Sequence, residues 1–183
     1  MFKFNVSDKI KLKMLSSRDA DDLFAVIDAN RCYLKEWLPW VPQMKEAADV
    51  QSFIQDTREQ FAAENGWQAG IWYREELVGV IGFHSVDWDH QKTTIGYWLA
   101  EDYQGQGIMT ACCQILIDHA FKVWELNKVE IRAAAENNKS RAIPERLGFK
   151  EEGTIREAEL LDDGFVDHVV YGILQREWDA NTI

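Results

Sequence analysis

Residues 104–110, Gln-Gly-Gln-Gly-Ile-Met-Thr, lie between a predicted strand and a predicted helix. Two glycines in this segment, Gly105 and Gly107, allow the backbone to adopt positive φ and to approach a ligand closely. The helix predicted to begin at Ile108 adds unpaired N–H groups and the positive end of its dipole. Gln104–Thr110 is therefore predicted to bind phosphate, although a tight strand-to-helix turn would use glycine in the same way.

The residues that follow the glycines exclude the two commonest nucleotide-binding loops. A P-loop places Lys and then Ser or Thr after its last glycine, but Ile108 and Met109 stand there. A dinucleotide-binding loop needs Gly-x-Gly-x-x-Gly, and Thr110 occupies the position of the third glycine. The segment is thus predicted to be a phosphate loop on one βαβ unit late in a mixed sheet.

A second polar pair, Asn137 and Ser140, follows the next predicted strand. A short helix is predicted over 140–147, with Gly148 at its C-terminal end. Pro144 would be tolerated only near the first turn of that helix. At its start, Ser140 would be an ordinary helix cap.

Together these segments resemble the Gcn5-related N-acetyltransferase (GNAT) superfamily, whose pyrophosphate loop reads Gln/Arg-x-x-Gly-x-Gly/Ala. Gln104 and Gly107 match this loop, whereas Met109 departs from its last position. The branch of ribosomal-protein N-terminal (alanine or serine) acetyltransferases is the most similar. A strand like Gly96-Tyr97-Trp98-Leu99 commonly precedes Gly-x-Gly-x-Met-Thr in that branch. Ala111 stands where a Glu often follows, so any role of that Glu is absent.

A second block of the resemblance, Asn137-x-x-Ser140 followed by Leu147-Gly148-Phe149, extends it over roughly residues 8–178 as one N-acetyltransferase domain. The resemblance implies direct transfer of acetyl from acetyl-CoA to a primary amine. The two strands that flank the long helix would splay apart beyond Leu99, and the pantetheine arm would bind backbone exposed there. The residues implied in acetyl-CoA binding are Trp98, Leu99, Gln104, Gly105, Gln106, Gly107, Ile108, Met109, Thr110 and Asn137.

The resemblance places Ser140 near the thioester sulfur, and we hypothesise that its hydroxyl donates a proton to the departing CoA thiolate. A role as a helix cap explains this serine equally well. Tyr171, on the last predicted strand, is a second candidate donor, with plain packing in the sheet as the alternative. Backbone N–H near Leu99 would polarise the carbonyl as charge develops.

An aromatic, proline-broken segment, residues 33–42, joins the first two predicted helices and cannot be one regular helix. In the resemblance this segment lines the acceptor side of the cleft, so Glu36, Trp37 and Trp40 are expected to contact the substrate. The two tryptophans would equally suit the core or a subunit contact. No residue stands out as the general base, for which the candidates are Glu36, His84, Asp87 and His168.

Hydrophobic periodicity predicts an α/β (α+β) fold, a single domain with a mixed, mostly antiparallel seven-stranded sheet flanked by helices. A long helix beginning near residue 108 makes the strands on either side of it parallel. Two earlier helices are predicted over 20–30 and 47–64. The seven strands are predicted at 9–15, 67–73, 77–84, 93–99, 128–135, 149–159 and 165–174.

The composition is that of a globular chain with an acidic surface. Of the 183 residues, 46% are hydrophobic and 12% aromatic, and without an 18-residue apolar run neither export nor membrane insertion is expected. The net charge of −11 disfavours direct binding of nucleic acid and favours binding of a cationic partner. The three cysteines cannot pair evenly, so we expect reduced thiols in a cytoplasmic protein. No metal site is predicted, and the eight tryptophans favour a homo-oligomer.

Three functions fit these observations. The leading one is acetylation of a protein N-terminal α-amine, in particular that of a ribosomal protein, which would be a basic partner. The second keeps the reaction but changes the acceptor to a polyamine, an antibiotic or another small amine. The third is a non-catalytic acyl-CoA-binding module that kept the fold, against which the presence of both Asn137 and Ser140 argues mildly.

Overall fold

The computed structural model describes residues 3–181 and contains one eight-stranded mixed sheet. The prediction of seven strands was wrong by one, because Lys3–Asn5 pairs antiparallel with Ile10–Met14. A run of three residues is too short to show alternation, so only its pairing identifies it as a strand. The strands are β1 (Lys3–Asn5), β2 (Ile10–Met14), β3 (Gln68–Tyr73), β4 (Glu76–Asp87), β5 (Lys92–Leu99), β6 (Lys128–Ala134), β7 (Lys150–Leu161) and β8 (Gly164–Leu174).

The strand order is β1-β2-β3-β4-β5-β6-β8-β7, and every neighbouring pair is antiparallel except β5 and β6. A crossover helix connects β5 to β6, as the sequence predicts. The helices are α1 (Ala20–Ala29), α2 (Arg31–Leu34), α3 (Ala47–Ala62), α4 (Ile108–Lys122), α5 (Asn138–Arg146) and α6 (Gln175–Asn181), with 3-10 turns at Ser17–Asp19, Val41–Gln43 and Glu101–Tyr103.

Helices cover both faces of the sheet and produce two clusters of buried apolar residues. The larger cluster lies under α4, whose buried side chains include Met109, Cys112 and Leu116. The smaller cluster lies under α1 and α3 and includes Leu23 and Val50. Burying apolar surface on both faces stabilises the sheet and fixes the positions of its strand ends.

The structure corrects two features of the predicted α5. The helix begins at Asn138, two residues before the predicted start, and Asn137 is its N-cap. Pro144 therefore lies inside the helix instead of its first turn. Proline has no N–H, so the carbonyl of Ser140, four residues earlier, lacks its normal helical donor. The hydroxyl of Tyr97 on β5 donates to that carbonyl at 3.0 Å and replaces the missing bond.

The gap between β5 and β6 opens earlier than predicted. Their parallel pairing ends at Ile95 and Ile131, not beyond Leu99. From there β5 stays paired with β4 as far as Leu99, whereas β6 stays paired with β8 as far as Ala134. Each strand keeps one partner, and the separation leaves backbone groups on the facing edges of β5 and β6 available to a ligand.

Candidate active site

A cleft of about 1610 Å³ extends from the gap between β5 and β6. Its floor is formed by the ends of these strands, and its walls by the segment before α4, the start of α5 and the aromatic segment after α2. Among the residues implied in acetyl-CoA binding, the following line it: Trp98, Leu99, Gln104, Gly105, Gly107, Ile108, Met109, Thr110 and Asn137.

The backbone of the loop before α4 has the conformation that a phosphate-binding loop requires. Gly105 and Gly107 have φ values of 70° and 75°, a left-handed region that favours glycine. A Cβ atom at either glycine would meet no other atom within 4 Å, so the space in front of the loop is open. Ala111 makes the first helical bond to the Gly107 carbonyl, at 3.1 Å. The N–H groups of residues 108–110 thus precede the ladder and suit an anion.

The two glutamines of the loop have different surroundings. Gln104 lines the cleft, and its Oε1 accepts a hydrogen bond from Lys139 Nζ at 3.1 Å. Gln106 is exposed, does not line the cleft, and donates to the carbonyl of Asp102 at 3.0 Å. The resemblance implied both residues in acetyl-CoA binding, and the structure brings only Gln104 to the cleft.

Two basic side chains that sequence reasoning did not identify lie beside the loop. Lys139 and Arg146 both extend from α5 and line the cleft. Arg146 Nη1 donates to the hydroxyl of Thr110 at 2.7 Å. Together with the glycine backbone they supply positive charge where the pyrophosphate of CoA would lie, so the residues present fit this group. Their positions, two and nine residues after Asn137, show no distinctive pattern in the sequence.

The backbone of Leu99 faces the gap between the strands. The next residue, Ala100, donates to the carbonyl of Val78 at 2.8 Å, and Leu99 is paired with Gly79. Backbone groups in an antiparallel ladder alternate in direction, so the N–H and C=O of Leu99 point away from β4 and toward the gap. The backbone N–H and C=O of the preceding residue, Trp98, point the opposite way and pair with β4. The side chain of Trp98 is what lines the cleft.

Asn137 and Ser140 lie together at the cleft, and Asn137 is the one that caps α5. Its Oδ1 accepts from the backbone N–H of Ser140 at 3.1 Å. The predicted alternative, in which Ser140 itself caps the helix, is therefore wrong. Capping leaves the Ser140 hydroxyl uncommitted, and the residue lines the cleft.

Tyr171 is not brought to the cleft. Its side chain is only 1% exposed, and it lies on the part of β8 that packs against α5. The hydroxyl donates to Glu145 Oε1 at 2.8 Å and accepts from Arg141 Nε at 2.9 Å. Both partners are α5 residues, so this hydroxyl fastens the helix to the sheet.

Of the three residues expected to contact the acceptor, two lie at the cleft. Trp37 and Trp40 line the cleft, whereas the exposed Glu36 does not. Trp40 also contacts Trp98, with ring centroids 6.1 Å apart. Trp37, Trp40 and Trp98 together form an aromatic wall of the cleft.

Two of the four candidates for a general base, His84 and His168, line the cleft. Asp87 does not, and its carboxylate instead accepts from the backbone N–H of His90 at 2.9 Å. His84 packs against Gly96, where a Cβ would collide with its Nε2. Loss of water in this position lowers the pKa of His84, and the negative charge of Glu159 opposes that shift.

Glu159 was not identified from the sequence, and a bulge in β7 brings it to the cleft. Its Oε2 lies 3.2 Å from His168 Nε2. The register passes from Ile155 opposite His168 to Glu159 opposite Val166, so three β7 residues face one residue of β8. Glu157 within this bulge has φ of 48°, and its N–H donates to the Asp167 carboxylate at 2.7 Å. No turn residue marks the bulge in the sequence, which reads as a continuous strand.

Within residues 3–181, no group of three His, Cys, Asp or Glu side chains is placed to hold a metal ion. None of the helices in that same part of the chain is both long and apolar enough to span a bilayer.

The known proteins that this chain resembles are acetyltransferases of one family. Residues 9–150 match the family model described as "Acetyltransferase (GNAT) domain". The chain is 41% identical over 182 residues to "Putative ribosomal N-acetyltransferase YdaF" of Bacillus subtilis, covering 98% of this chain and 99% of that protein. It is 30% identical over 166 residues to the ribosomal-protein-serine acetyltransferase of Escherichia coli, covering 91% and 93%.

One similar solved structure contains acetyl-CoA. The microcin C7 self-immunity acetyltransferase MccE, in complex with acetyl-CoA and AMP, is 27% identical, with a TM-score of 0.90 over 93% of this chain and 95% of that one. The predicted phosphate loop and the gap between β5 and β6 are consistent with these similarities. The chain belongs to the GNAT family and is an acetyl-CoA-dependent N-acetyltransferase.

Proposed function

We propose that this enzyme acetylates the N-terminal α-amine of a protein, and that the protein is a ribosomal protein. The observation that carries the proposal is the end-to-end similarity to YdaF, with 98% and 99% coverage. The similarity to the ribosomal-protein-serine acetyltransferase supports the same acceptor class. The net charge of −11 suits a basic partner, because opposite charge accelerates encounter.

The chemistry of the cleft suits an α-amine better than a lysine. With a pKa of about 7.7, roughly a sixth of an α-amine is neutral at pH 7, whereas with a pKa of about 10.4 only about 0.04% of a lysine is. The bases that line the cleft include His84 and the His168–Glu159 pair, besides the carboxylate of Glu101. These weak bases can take the proton from an α-amine as it attacks, but they are poorly matched to a lysine.

In the proposed reaction the neutral amine attacks the thioester carbonyl, so that a C–N bond forms and the C–S bond breaks. The N–H of Leu99 faces the gap and would stabilise the carbonyl oxygen as negative charge develops. The amine proton passes to the His168–Glu159 pair, directly or through water. The hydroxyl of Ser140 gives a proton to the departing thiolate and recovers one from solvent.

The test is an acetylation assay with acetyl-CoA and peptides that carry the N-terminal sequences of ribosomal proteins. We expect the mass of each productive peptide to increase by one acetyl group at its first residue, as located by fragment-ion mass spectrometry. Matched peptides with a blocked N-terminus and a free lysine are the control. Acetylation of the lysine peptides alone would reject the proposal, as would a failure of every N-terminal peptide to react.

A small amine is the second candidate acceptor. It is favoured by the similarity to MccE, whose complex contains AMP and whose name refers to self-immunity against a microcin. A panel of polyamines and aminoglycosides in the same assay separates the two candidates. Higher kcat/KM for a small amine than for all N-terminal peptides would replace the protein acceptor.

A further inference from the structure

A smaller cavity of about 230 Å³ adjoins the cleft on the side of the aromatic wall. We call it the side cavity. Three half-buried aromatic residues, Trp40, Phe53 and Trp98, line both the side cavity and the cleft. The remaining lining consists of aliphatic and thioether side chains from α1, α3 and the segment between them: Leu23, Ile27, Met44 and Val50.

The side cavity is a place where the smaller apolar cluster is incompletely filled. Leu23, Ile27 and Val50 are at most 2% exposed and are fixed by packing between the helices and the sheet. No charged or hydrogen-bonding group except the indole N–H of its tryptophans belongs to its lining side chains. An apolar cavity of about 150 Å³ lined by Leu, Ile and Phe stays dry and binds benzene. The side cavity therefore suits an apolar group the size of a large side chain.

The position of the side cavity relates it to the acceptor. Trp98 forms part of its wall, and the next residue, Leu99, presents its N–H to the gap where the thioester carbonyl is expected. An amine that attacks this carbonyl must lie beside Leu99, so the groups attached within a few bonds of it are adjacent to Trp98. Trp40 and Phe53 border the same entrance.

We propose that the side cavity binds a large apolar side chain carried by the first or the second residue of the acceptor. This inference rests on the proposed function, because it assumes a polypeptide acceptor with a free α-amine. It adds a selectivity that the acetylation reaction does not require. Acceptors with Leu, Ile, Met or Phe at one of these two positions should be preferred over acceptors with only Gly, Ala or Ser.

The first experiment compares two peptide series on the unmodified enzyme. One series varies the first residue through Gly, Ala, Ser, Val, Leu, Met and Phe, and the other varies the second residue with Ala kept first. We expect kcat/KM to rise at least about 10-fold from Ala to Leu, Met or Phe in one series, since a few methylenes in an apolar pocket discriminate by this much. Equal values throughout both series would overturn the inference.

Two variants test whether the side cavity is the origin of that preference. Val50→Phe should fill it and Met44→Glu should place a carboxylate in its wall, and each should reduce the preference to less than about threefold. Gln51→Phe is the matched control, because Gln51 is the exposed neighbour of Val50 on α3. A preference that survives in both cavity variants would show that another surface selects the side chain, and the inference would be wrong.

These outcomes are distinguishable from failure of the proposed function. Stabilisation by acetyl-CoA in a thermal-shift assay reports on the phosphate loop and gap independently of any acceptor. Uniform acetylation of all peptides leaves the proposed function intact and removes only the side-cavity inference. If acetyl-CoA stabilises the enzyme but no peptide is acetylated, the polypeptide acceptor is wrong and the inference fails with it.

Discussion

The backbone of Ser140 is held on both sides while its side chain remains available for chemistry. Its N–H donates to Asn137 Oδ1 at 3.1 Å, and its carbonyl accepts from the Tyr97 hydroxyl at 3.0 Å. Neither bond uses the Ser140 hydroxyl. A side chain on a backbone fixed in this way can be held close to the geometry that proton transfer needs.

We expect Ser140→Ala to lower kcat by about 100-fold or more, because a positioned proton donor typically contributes that much. The dissociation constant for acetyl-CoA should change less than about threefold, since the Asn137 cap uses only the backbone of residue 140. Initial rates give the first quantity, and isothermal titration calorimetry gives the second. Ser52→Ala, on the exposed surface of α3, serves as a control that should not change either. Unchanged kcat in Ser140→Ala would remove this residue from the mechanism.

At the scale of elements, α5 depends on β5 for one of its hydrogen bonds. Pro144 removes the donor that the Ser140 carbonyl would otherwise meet, and Tyr97 supplies the replacement. Burial raises the pKa of Tyr97, so its hydroxyl stays protonated and remains a donor throughout the physiological range. The bond links β5 directly to the start of α5. It therefore fixes the start of α5, a wall of the cleft, relative to β5, which forms part of the cleft floor.

This dependence predicts coupling between two substitutions. Tyr97→Phe should lower the free energy of unfolding by about 1–3 kcal/mol, because it leaves a part-buried carbonyl without a donor. In a Pro144→Ala background the same change should cost at least about 1 kcal/mol less, since residue 144 then has an N–H for that carbonyl. Urea denaturation of the four proteins of this cycle measures both values. Equal costs in the two backgrounds would mean that Tyr97 stabilises the enzyme by other contacts.

At the scale of the whole molecule, the larger apolar cluster includes a histidine ring at its margin. His119, in the last turn of α4, lies among aromatic rings, with centroid distances of 4.8 Å to Trp124, 5.5 Å to Phe4 and 5.7 Å to Trp67. Burial lowers the pKa of His119, and loss of water likewise lowers the pKa of His84. Folding thus favours the neutral form of both rings.

The stability of the enzyme should consequently fall as the pH is lowered below about 6.5, the ordinary pKa of histidine. In that range the unfolded chain binds more protons than the folded one, so the free energy of unfolding decreases with falling pH. His119→Phe keeps an aromatic ring of similar size but cannot titrate. Its melting temperature should therefore decline less than that of the parent enzyme between pH 7.5 and 5.5. An identical decline in the two proteins would exclude His119 as a contributor.

Features that depend on neighbouring residues could be predicted from the amino-acid sequence. Residue patterns and hairpin signals predicted seven of the eight strands, and the crossover helix required the parallel pair. The glycines and the helix that follows them predicted a phosphate loop. The motifs at 104–110 and 137–140 were sufficient for the family and for acetyl-CoA. Such features are local, because side-chain periodicity and positive φ are set within a few residues.

Features that depend on residues distant in the chain became apparent in the folded protein alone. The bulge that brings Glu159 to His168, the early opening of the gap after Ile95 and the burial of Tyr171 each follow from register or packing between elements. One hydrogen bond, from the Ser140 N–H to Asn137 Oδ1, shows that Asn137 and not Ser140 caps α5. The side cavity exists because α1, α3 and the aromatic segment do not fill the space between them. Contacts across such separations depend on the packing of the whole domain, and no local pattern encodes them.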